Sequence, residues 1–241
     1  MIDVLDLAHE LRTHIWSTAA NNPRARQRAI GPSEVGTPCV RRIGYKLAGT
    51  PATNQPDTWL ATIGTAVHAW LAETFTSDRY LVEHRVEVRE GLAGSVDLYD
   101  KQTKSVIDWK VVGDSSLKRY KANGPGEQYR TQAHLYGVGL SNAGYEVERV
   151  AIAFLPRGGT LRAMHLWSEP FNPDIAWKAI ARLELAQTSI NAAGIEALPL
   201  LPTTDSFCHF CPYFLPGSTD LRTGCPGADP SPTQPNKGEA A

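Results

Sequence analysis

The spacing of apolar and polar positions changes repeatedly along the chain between helical and strand-like patterns, which predicts a mixed α/β fold. Apolar residues three and four positions apart favour helices, whereas alternating β-branched residues favour strands. We predict long helices at about 4–16, 57–75, 127–142 and 174–193, and a short helix that begins near Cys39. Strands are predicted at 80–89, on both sides of a turn at 100–104, and at about 146–155 and 161–167.

The helix predicted at 57–75 has an N-cap candidate in Asp57. Its buried stripe is predicted to comprise Leu60, Ile63, Val67, Leu71 and Phe75. His68 lies at the edge of that stripe, and a single histidine in such a place is more often a boundary residue than a ligand. The helix alone therefore does not indicate a functional site.

The centre of the predicted sheet is a hairpin whose two strands flank the polar turn 100–104. With the turn centred between residues 102 and 103, Asp97 and Asp108 face each other with Cβ atoms roughly 4.5–5.5 Å apart. Strand alternation places Lys110 on the side of Asp108 and Trp109 on the other side. Two neighbouring carboxylates repel, so the pair becomes reasonable where a divalent cation lies between them, and such a site suits phosphodiester hydrolysis. On these residues alone, an exposed hairpin with an ordinary salt bridge is the favoured interpretation.

The length and composition indicate one main domain with appendages. The chain has 241 residues, of which 42% are hydrophobic, enough to form one sizeable core. We predict an N-terminal helical segment at 1–56, a core at 57–200, a cysteine segment at 201–225 and a disordered tail at 226–241.

The charge balance gives no overall sign of nucleic-acid binding, because the net charge is −1 and the pI is about 6.7. Any DNA site must then be a local basic patch. Two candidates are Arg41, Arg42 and Lys46, and Lys118, Arg119 and Lys121, although a solvated face is the alternative for each. No apolar run reaches the roughly 20 residues of a membrane span, and the N-terminus does not read as a signal sequence. We expect a soluble, cytoplasmic protein without a membrane partner.

The chain has four cysteines, Cys39, Cys208, Cys211 and Cys225. Without a secretory signal, this number favours a metal ion or a cluster over structural disulfides. Thiolates fit either a [4Fe–4S] cluster or Zn²⁺, and His209 would permit a zinc site with two cysteines and a histidine.

Four short motifs, taken in order, resemble the RecB-type branch of the PD-(D/E)XK nucleases. They are Gly64-x-x-x-His68, Gly94-x-x-Asp97, Asp108-x-Lys110 and Gln132-x-x-x-Tyr136. One cysteine before this region and three after it resemble the iron–sulfur members, which include CRISPR-associated exonucleases, their phage-borne relatives and the AddB nuclease domain. The spacing Cys211-x₁₃-Cys225 is longer than in those members, so Cys225 is the least secure ligand.

The resemblance implies a PD-(D/E)XK restriction-endonuclease-like core of helix, three-stranded meander, helix and strand. It also implies a Cys-ligated iron–sulfur staple that joins the N- and C-terminal segments. Within the core, His68, Asp97 and Asp108 would hold Mg²⁺ or Mn²⁺, helped by the backbone carbonyl of Trp109, and Lys110 would orient or activate the attacking water. Carboxylate ligands select hard cations, and an imidazole shifts the preference towards Mn²⁺.

By the same resemblance, Gln132 and Tyr136 would contact the DNA strand beside the scissile phosphate. The implied function is a metal-dependent DNA exonuclease that acts at DNA ends or single strands. The implied settings are recombination or repair, phage DNA processing, or CRISPR-type spacer processing, and a recombination or helicase protein is a candidate partner. The sequence has no Gly-x₄-Gly-Lys-Ser/Thr loop, so we expect no ATP-driven motor in this chain.

Two other functions remain open on the sequence. One is a non-catalytic adaptor that binds DNA ends on the same fold, against which the intact Asp97, Asp108 and Lys110 argue. The other is a zinc-stabilised DNA-binding, structural or transcriptional protein in which the cysteines are the main feature and the hairpin is incidental.

Overall fold

A computed structural model describes residues 4–20, 29–54, 57–204 and 208–228. The helices in these ranges are α1 (Val4–Ala20), α2 (Pro32–Val35), α3 (Val40–Leu47), α4 (Trp59–Thr74), α5 (Asp114–Asn123), α6 (Gly126–Asn142) and α7 (Pro173–Ala193). The strands are β1 (Tyr80–Arg89), β2 (Leu92–Asp100), β3 (Ser105–Val112), β4 (Arg149–Pro156) and β5 (His165–Pro170). The predicted mixed α/β fold is confirmed.

The chain divides into two compact units. The first comprises Met1–Gly36 and Asp57–Ala181, and the second comprises Thr37–Pro56 and Arg182–Ala241. The first unit contains all the strands named above, and the second contains α3 and the four cysteines. The four-part division expected from the sequence stays a prediction, and residues 229–241 of the expected tail lie outside the described residues.

The five strands of the first unit form one sheet in the order β1-β2-β3-β4-β5. Neighbouring strands are antiparallel except β3 and β4, which are parallel and are connected through α5 and α6. A parallel pair needs a crossover connection, and helices usually supply it. The first three strands are the expected meander.

The hairpin of β2 and β3 has the register that the sequence predicted. Leu98 pairs with Ile107 and Asp100 with Ser105, so the turn is centred between residues 102 and 103. The carboxylate of Asp100 holds this turn, because it accepts hydrogen bonds from the backbone N–H of Gln102 and the hydroxyl of Thr103. Turn residues with short polar side chains favour this kind of local bonding.

Helix α6 packs against the sheet, contacting β1, β2, β3 and β4. Residues 131–140 of this helix are all buried. A Cβ atom at Gly139 would lie 2.6 Å from Cγ2 of Val86, and one at Gly137 would lie 2.5 Å from Cε2 of Phe171. The two glycines therefore allow α6 to approach its neighbours closely, which fixes the positions of the side chains that α6 directs at the sheet.

Several sequence expectations differ from the structure. Of the five residues expected in the buried stripe of α4, Leu71 is buried and Leu60 is half exposed. The other three, Ile63, Val67 and Phe75, are partly buried, because α4 is covered along only part of its length. Asp57 lies one residue before the N-cap Thr58, and its carboxylate still accepts the N–H of Trp59 at 2.8 Å. Helix α5 was not predicted, because its many polar residues conceal the spacing of its buried pair, Leu117 and Tyr120.

None of the described helices combines the length and apolar character that crossing a membrane requires.

Candidate active site

The two aspartates of the hairpin lie side by side at the centre of the sheet. Asp97 is 9% exposed and Asp108 is 2% exposed. Oδ2 of Asp97 accepts the backbone N–H of Trp109 at 2.8 Å, which ties β2 to β3 beyond their regular pairs. Two carboxylates are rarely buried next to each other, so this pair is a candidate functional site.

Lys110 completes the predicted trio. Its Nζ lies 2.7 Å from Oδ2 of Asp108 and 4.8 Å from the ring centre of Tyr129. Burial acts to lower the pKa of Lys110, but the carboxylates of Asp108 and Asp97 outweigh it and raise that pKa. Burial, together with the charge of Asp97, raises the pKa of Asp108 to about 6, and Lys110 opposes the rise. The lysine is therefore a fixed positive charge at neutral pH.

Gln132 of α6 lies between these two residues. Its Nε2 donates to Oδ1 of Asp108 at 3.0 Å, and its Oε1 accepts from Nζ of Lys110 at 3.3 Å. The side chain is 5% exposed. The structure thus places Gln132 where it orients the acid and the lysine, and the DNA contact expected from the resemblance stays a prediction.

His68 reaches the aspartates from α4. Its Nε2 is 3.0 Å from the carbonyl oxygen of Trp109, and its Nδ1 is 3.3 Å from Oδ1 of Asp97. Since a carbonyl only accepts, Nε2 carries the proton and donates it to Trp109. The Asp97 carboxylate raises the pKa of His68, against the effect of burial.

Glu83 is an exposed candidate metal ligand that the sequence did not predict. One oxygen of Glu83, one nitrogen of His68 and one oxygen of Asp97 all lie within 4.8 Å of one another. Glu83 lies across from Asp97, between the pairs Val82–Leu98 and His84–Val96. Its φ of 46° lies in the left-handed region, which costs a non-glycine residue roughly 1–3 kcal/mol and is typical of functional sites.

The register that brings Glu83 to Asp97 depends on an irregularity. Arg89 pairs with Leu92 at the turn, but the register shifts between Glu87 and Arg89. An unbroken hairpin would put Glu83 opposite Leu98 instead. In the sequence, the glycine at position 91 marks the turn between β1 and β2, and its φ in the structure is 76°. A turn glycine does not reveal that the strand register shifts beside it.

These donors fit a hard divalent cation. Nδ1 of His68 is buried and has no hydrogen-bond partner among the described residues, although it faces the carboxylate of Asp97. Three acids that share one small region also repel unless a cation lies among them. His68, Glu83, Asp97 and Asp108 would therefore hold the ion, and their oxygen-rich set suits Mg²⁺ or Mn²⁺.

Tyr136 lies one turn after Gln132 on α6 and is 7% exposed. Burial, with the charges of Asp108 and Asp97, raises the pKa of Tyr136 to about 12, so its hydroxyl stays a donor. A Cβ atom at Gly94 would lie 3.1 Å from Cε1 of Tyr136 and 2.9 Å from Cδ of Pro32. The glycine of the Gly-x-x-Asp motif therefore makes room for this ring.

The predicted basic residues belong to different units. Lys118, Arg119 and Lys121 are exposed on α5 of the first unit, where the guanidinium of Arg119 lies 5.0 Å from the ring centre of Tyr120. Arg41 and Arg42 are on α3 of the second unit with Lys46. Nε of Arg41 donates to the carbonyl of Leu198 at 2.9 Å, so part of its bonding capacity serves the fold. A common DNA groove for both sets stays a prediction.

The second unit brings the four cysteines together. Cys39, Cys208, Cys211 and Cys225 line one cavity with Tyr45 and Phe214. No disulfide joins them. Burial raises the pKa of the Cys211 thiol, and Cys39 and Cys225 add to the rise.

The long Cys211-x₁₃-Cys225 spacing is accommodated by the chain folding back on itself. Cys225 and Phe214 form an isolated parallel β-bridge through their backbones. The N–H of Cys225 donates to the carbonyl of Tyr213 at 2.6 Å. Tyr213 in turn stacks on Tyr45 with ring centres 4.9 Å apart. The cavity lining in the described part of the chain includes Cys225, but His209 is exposed and does not contribute to it.

The fold is similar to that of the alkaline exonuclease LHK-Exo from Laribacter hongkongensis, with a TM-score of 0.50 and 12% sequence identity over 73% of this chain and 93% of that chain. LHK-Exo in complex with dAMP gives a TM-score of 0.48 at 13% identity over the same shares of both chains. A phage-related exonuclease from Haemophilus somnus 129PT gives 0.43 at 16% identity over 62% of this chain and 78% of that chain.

No protein-family model matches the sequence, and no curated protein is significantly similar to it. At 12% identity, the likeness to LHK-Exo concerns the fold alone. The iron–sulfur branch of the resemblance stays a prediction. The chain therefore shares the mixed α/β fold of an alkaline exonuclease, with Asp97, Asp108 and Lys110 on the central strands of its sheet and His68 of α4 beside them.

Proposed function

We propose that this protein is a metal-dependent deoxyribonuclease that removes nucleotides from DNA ends or single strands. The observation that carries the proposal is the 2.7 Å contact between Lys110 and Asp108, beside the donor group of His68, Glu83 and Asp97. The likeness in fold to an alkaline exonuclease supports it. A salt bridge with a purely structural role would not need three further side chains beside it that can ligate a metal ion.

The residues have separate roles in this proposal. His68, Glu83, Asp97 and Asp108 would hold Mg²⁺ or Mn²⁺, which when bound would polarise the scissile phosphate and acidify the attacking water. Because its pKa is raised, Lys110 acts as a charge rather than a base: it orients the water and stabilises the charge that develops on the phosphate.

The remaining residues of the core support this arrangement. Gln132 keeps Lys110 and Asp108 at a fixed separation through one hydrogen bond to each. Tyr136 offers a hydroxyl proton to a phosphate oxygen of the bound strand, because its raised pKa keeps it protonated. The exposed lysines and arginine of α5 provide phosphate contacts that add affinity without sequence preference.

Digestion of end-labelled linear DNA and of circular single-stranded DNA tests this function. We expect Mn²⁺ or Mg²⁺ to support release of labelled nucleotides from linear DNA, and EDTA to stop it. Circular DNA should resist, because it has no ends. The variant Asp108→Asn is the control for contaminating nucleases; cleavage by this variant under saturating metal would contradict the assignment. DNA binding without any hydrolysis would instead favour the adaptor function.

The cysteine cavity suggests a second cofactor, and we propose that it holds a [4Fe–4S] cluster. Four sulfur ligands around a single zinc ion, at about 2.3 Å each, would lie roughly 3.8 Å apart. Among the described residues, no three cysteine sulfurs lie within 4.8 Å of one another. A cluster accepts this wider spacing, since each thiolate binds a different iron. Anaerobic purification followed by absorption spectroscopy and assays of iron, sulfide and zinc decides between the two; stoichiometric zinc without iron would overturn the cluster.

A further inference from the structure

A groove in the first unit extends from the candidate metal centre along α4 to α1. Its inner part is lined by His68, Trp109, Lys110 and small residues of α4 that include Ala61, Gly64 and Thr65. Its outer part is lined by Arg12, Ile15, Trp16, Asp57 and Trp59. Ala19 and Thr58 line both parts, so the two parts adjoin at these residues.

The outer part of the groove exposes two tryptophan rings that lie close to each other, one on α1 and one at the start of α4. Trp16 is 46% exposed, Trp59 is 49% exposed, and Ile15 of α1 is 50% exposed. Because these residues line one concave part of the surface together, they offer apolar surface to a ligand. Tryptophan rings stack on any unpaired base, whereas bases inside a duplex present no free face.

The charges of the groove suit a nucleic-acid strand. Arg12 lines its outer part, and Lys110 lines its inner part. The acid in the outer part, Asp57, directs its carboxylate to the N–H of Trp59 at 2.8 Å. Gly64 leaves open space, because a Cβ atom there would meet nothing within 4 Å. The sugar–phosphate backbone therefore has room beside α4.

We propose that this groove binds the unpaired bases of a single DNA strand and guides that strand to the metal centre. The inference rests on the proposed nuclease function and specifies its substrate: single-stranded DNA or a duplex with an unpaired end. Trp16 and Trp59 stack on bases, and Arg12 contacts a phosphate. The groove's continuity with the metal-binding residues favours a substrate strand over a docked protein, which would block the centre.

The length of α4 sets the length of strand that the groove needs. Trp59 and His68 are nine residues apart on one helix, so their Cα atoms are separated by about 14 Å along its axis. At roughly 3.4 Å per nucleotide, this distance corresponds to about four nucleotides of a stacked strand. An oligonucleotide of three nucleotides cannot occupy both ends, whereas one of twelve can.

The test compares the affinities for fluorescein-labelled (dT)₁₂, (dT)₃ and a twelve-base-pair blunt duplex by fluorescence anisotropy, in EDTA so that nothing is hydrolysed. Trp16→Ala and Trp59→Ala should each weaken (dT)₁₂ binding by about 5- to 150-fold, the value of one stacked base. The ratio of single-strand to duplex affinity should fall by a similar factor. Trp16→Phe and Trp59→Phe keep a ring and should stay within about threefold of the native value.

The matched control is Trp70→Ala, which removes another tryptophan of α4 that is 63% exposed but does not line the groove. It should leave the affinity ratio unchanged. If the ratio of single-strand to duplex affinity is unchanged in both groove variants, the inference is overturned. If that ratio is unchanged but analytical ultracentrifugation shows that the variants have a different molar mass from the native protein, the groove is instead an interface between copies of the chain.

The outcome is separable from that of the proposed function. If the native protein digests end-labelled DNA but the tryptophan variants keep the native affinity ratio, the groove inference fails and the nuclease function stands. If the variants lose (dT)₁₂ binding but the native protein hydrolyses nothing with Mn²⁺, the nuclease function fails and the groove stands as a single-strand binding site. Circular dichroism of each variant checks that it folds.

Discussion

The amide of Gln132 donates a hydrogen bond of 3.0 Å to the carboxylate of Asp108, although the two residues belong to different elements, α6 and β3. The other end of the same amide accepts from Lys110 at 3.3 Å. An amide is suited to this place, because one end matches an anion and the other matches a cation. Gln132 therefore sets the separation of the two residues that the proposed chemistry requires.

We predict that Gln132→Ala lowers kcat for DNA hydrolysis by about 10- to 100-fold, the usual cost of losing a group that orients metal-site residues. Steady-state kinetics on end-labelled DNA measures this. Gln128→Ala is the matched control, because Gln128 lies one turn earlier on α6 and donates instead to the carbonyl of Ser33 at 3.2 Å. A variant that raises KM but keeps the native kcat would show that Gln132 acts by contacting DNA.

The geometry around Glu83 leads to a second prediction. Glu83→Gln removes one negative ligand beside His68 and Asp97, so its affinity for Mn²⁺ should fall at least about tenfold. Isothermal titration calorimetry with Mn²⁺ measures this without DNA. Glu87→Gln is the control on the same strand, since the Glu87 carboxylate accepts the N–H of Gly91 in the turn. Equal affinities for Mn²⁺ in the two variants would remove Glu83 from the site.

Local patterns were enough to predict the central hairpin. The polar turn and the alternation around it fix the pairing of Leu98 with Ile107, and that pairing fixes which side chains share a side. The positions of Asp97, Asp108 and Lys110 follow from this register. His68 and Gln132 were found only through the resemblance, because helical periodicity alone does not show what a helix faces.

The features that local patterns could not predict depend on long-range packing or on irregular backbone. Glu83 reaches Asp97 because of a register shift near Arg89, and a shift of one residue leaves no mark in hydrophobic alternation. Leu60 has helical spacing but is half exposed, and the spacing of apolar residues within a helix does not show which part of the helix other elements cover. The backbone β-bridge between Cys225 and Phe214 brings Cys225 to the other cysteines. The thirteen residues between Cys211 and Cys225 do not reveal this fold-back.

The cysteine cavity gives a third prediction. Because Cys225 lines the cavity and His209 does not, Cys225→Ala should lose most of the iron and the visible absorption of the anaerobically purified protein, whereas His209→Ala should keep both. Binding that exists only in the folded state stabilises it, so the thermal midpoint of Cys225→Ala should also fall. Iron and sulfide assays with a thermal melt measure these effects. A full cluster in Cys225→Ala, or its loss in His209→Ala, would reassign the fourth ligand.

The last prediction concerns acid stability and the turn between β2 and β3. Two hydrogen bonds from Arg79, one of them 2.7 Å from Nε to Oδ1, lower the pKa of Asp100 from 3.8 to about 2. A carboxyl whose folded-state pKa is depressed stabilises the fold above its unfolded-state pKa, and this contribution is lost as the pH falls through the folded-state value. The contribution of Asp100 should therefore be complete above about pH 4 and absent below about pH 2.

Asp100→Asn tests this by urea unfolding between pH 7 and pH 2. At pH 7 the free energy of unfolding of the variant should be lower by about 1–2 kcal/mol. This is less than the whole pKa shift of Asp100 would correspond to, because Arg79 is 40% exposed and water partly screens the ion pair. The difference from the native protein should shrink as the pH falls from 4 to 2, since protonated aspartate and asparagine carry the same charge. Glu90→Gln, which neutralises an exposed acid in the turn before β2, should show no such convergence. A stability difference for Asp100→Asn that stays constant down to pH 2 would mean that shape and hydrogen bonding in the turn, rather than the ion pair with Arg79, carry the contribution of Asp100.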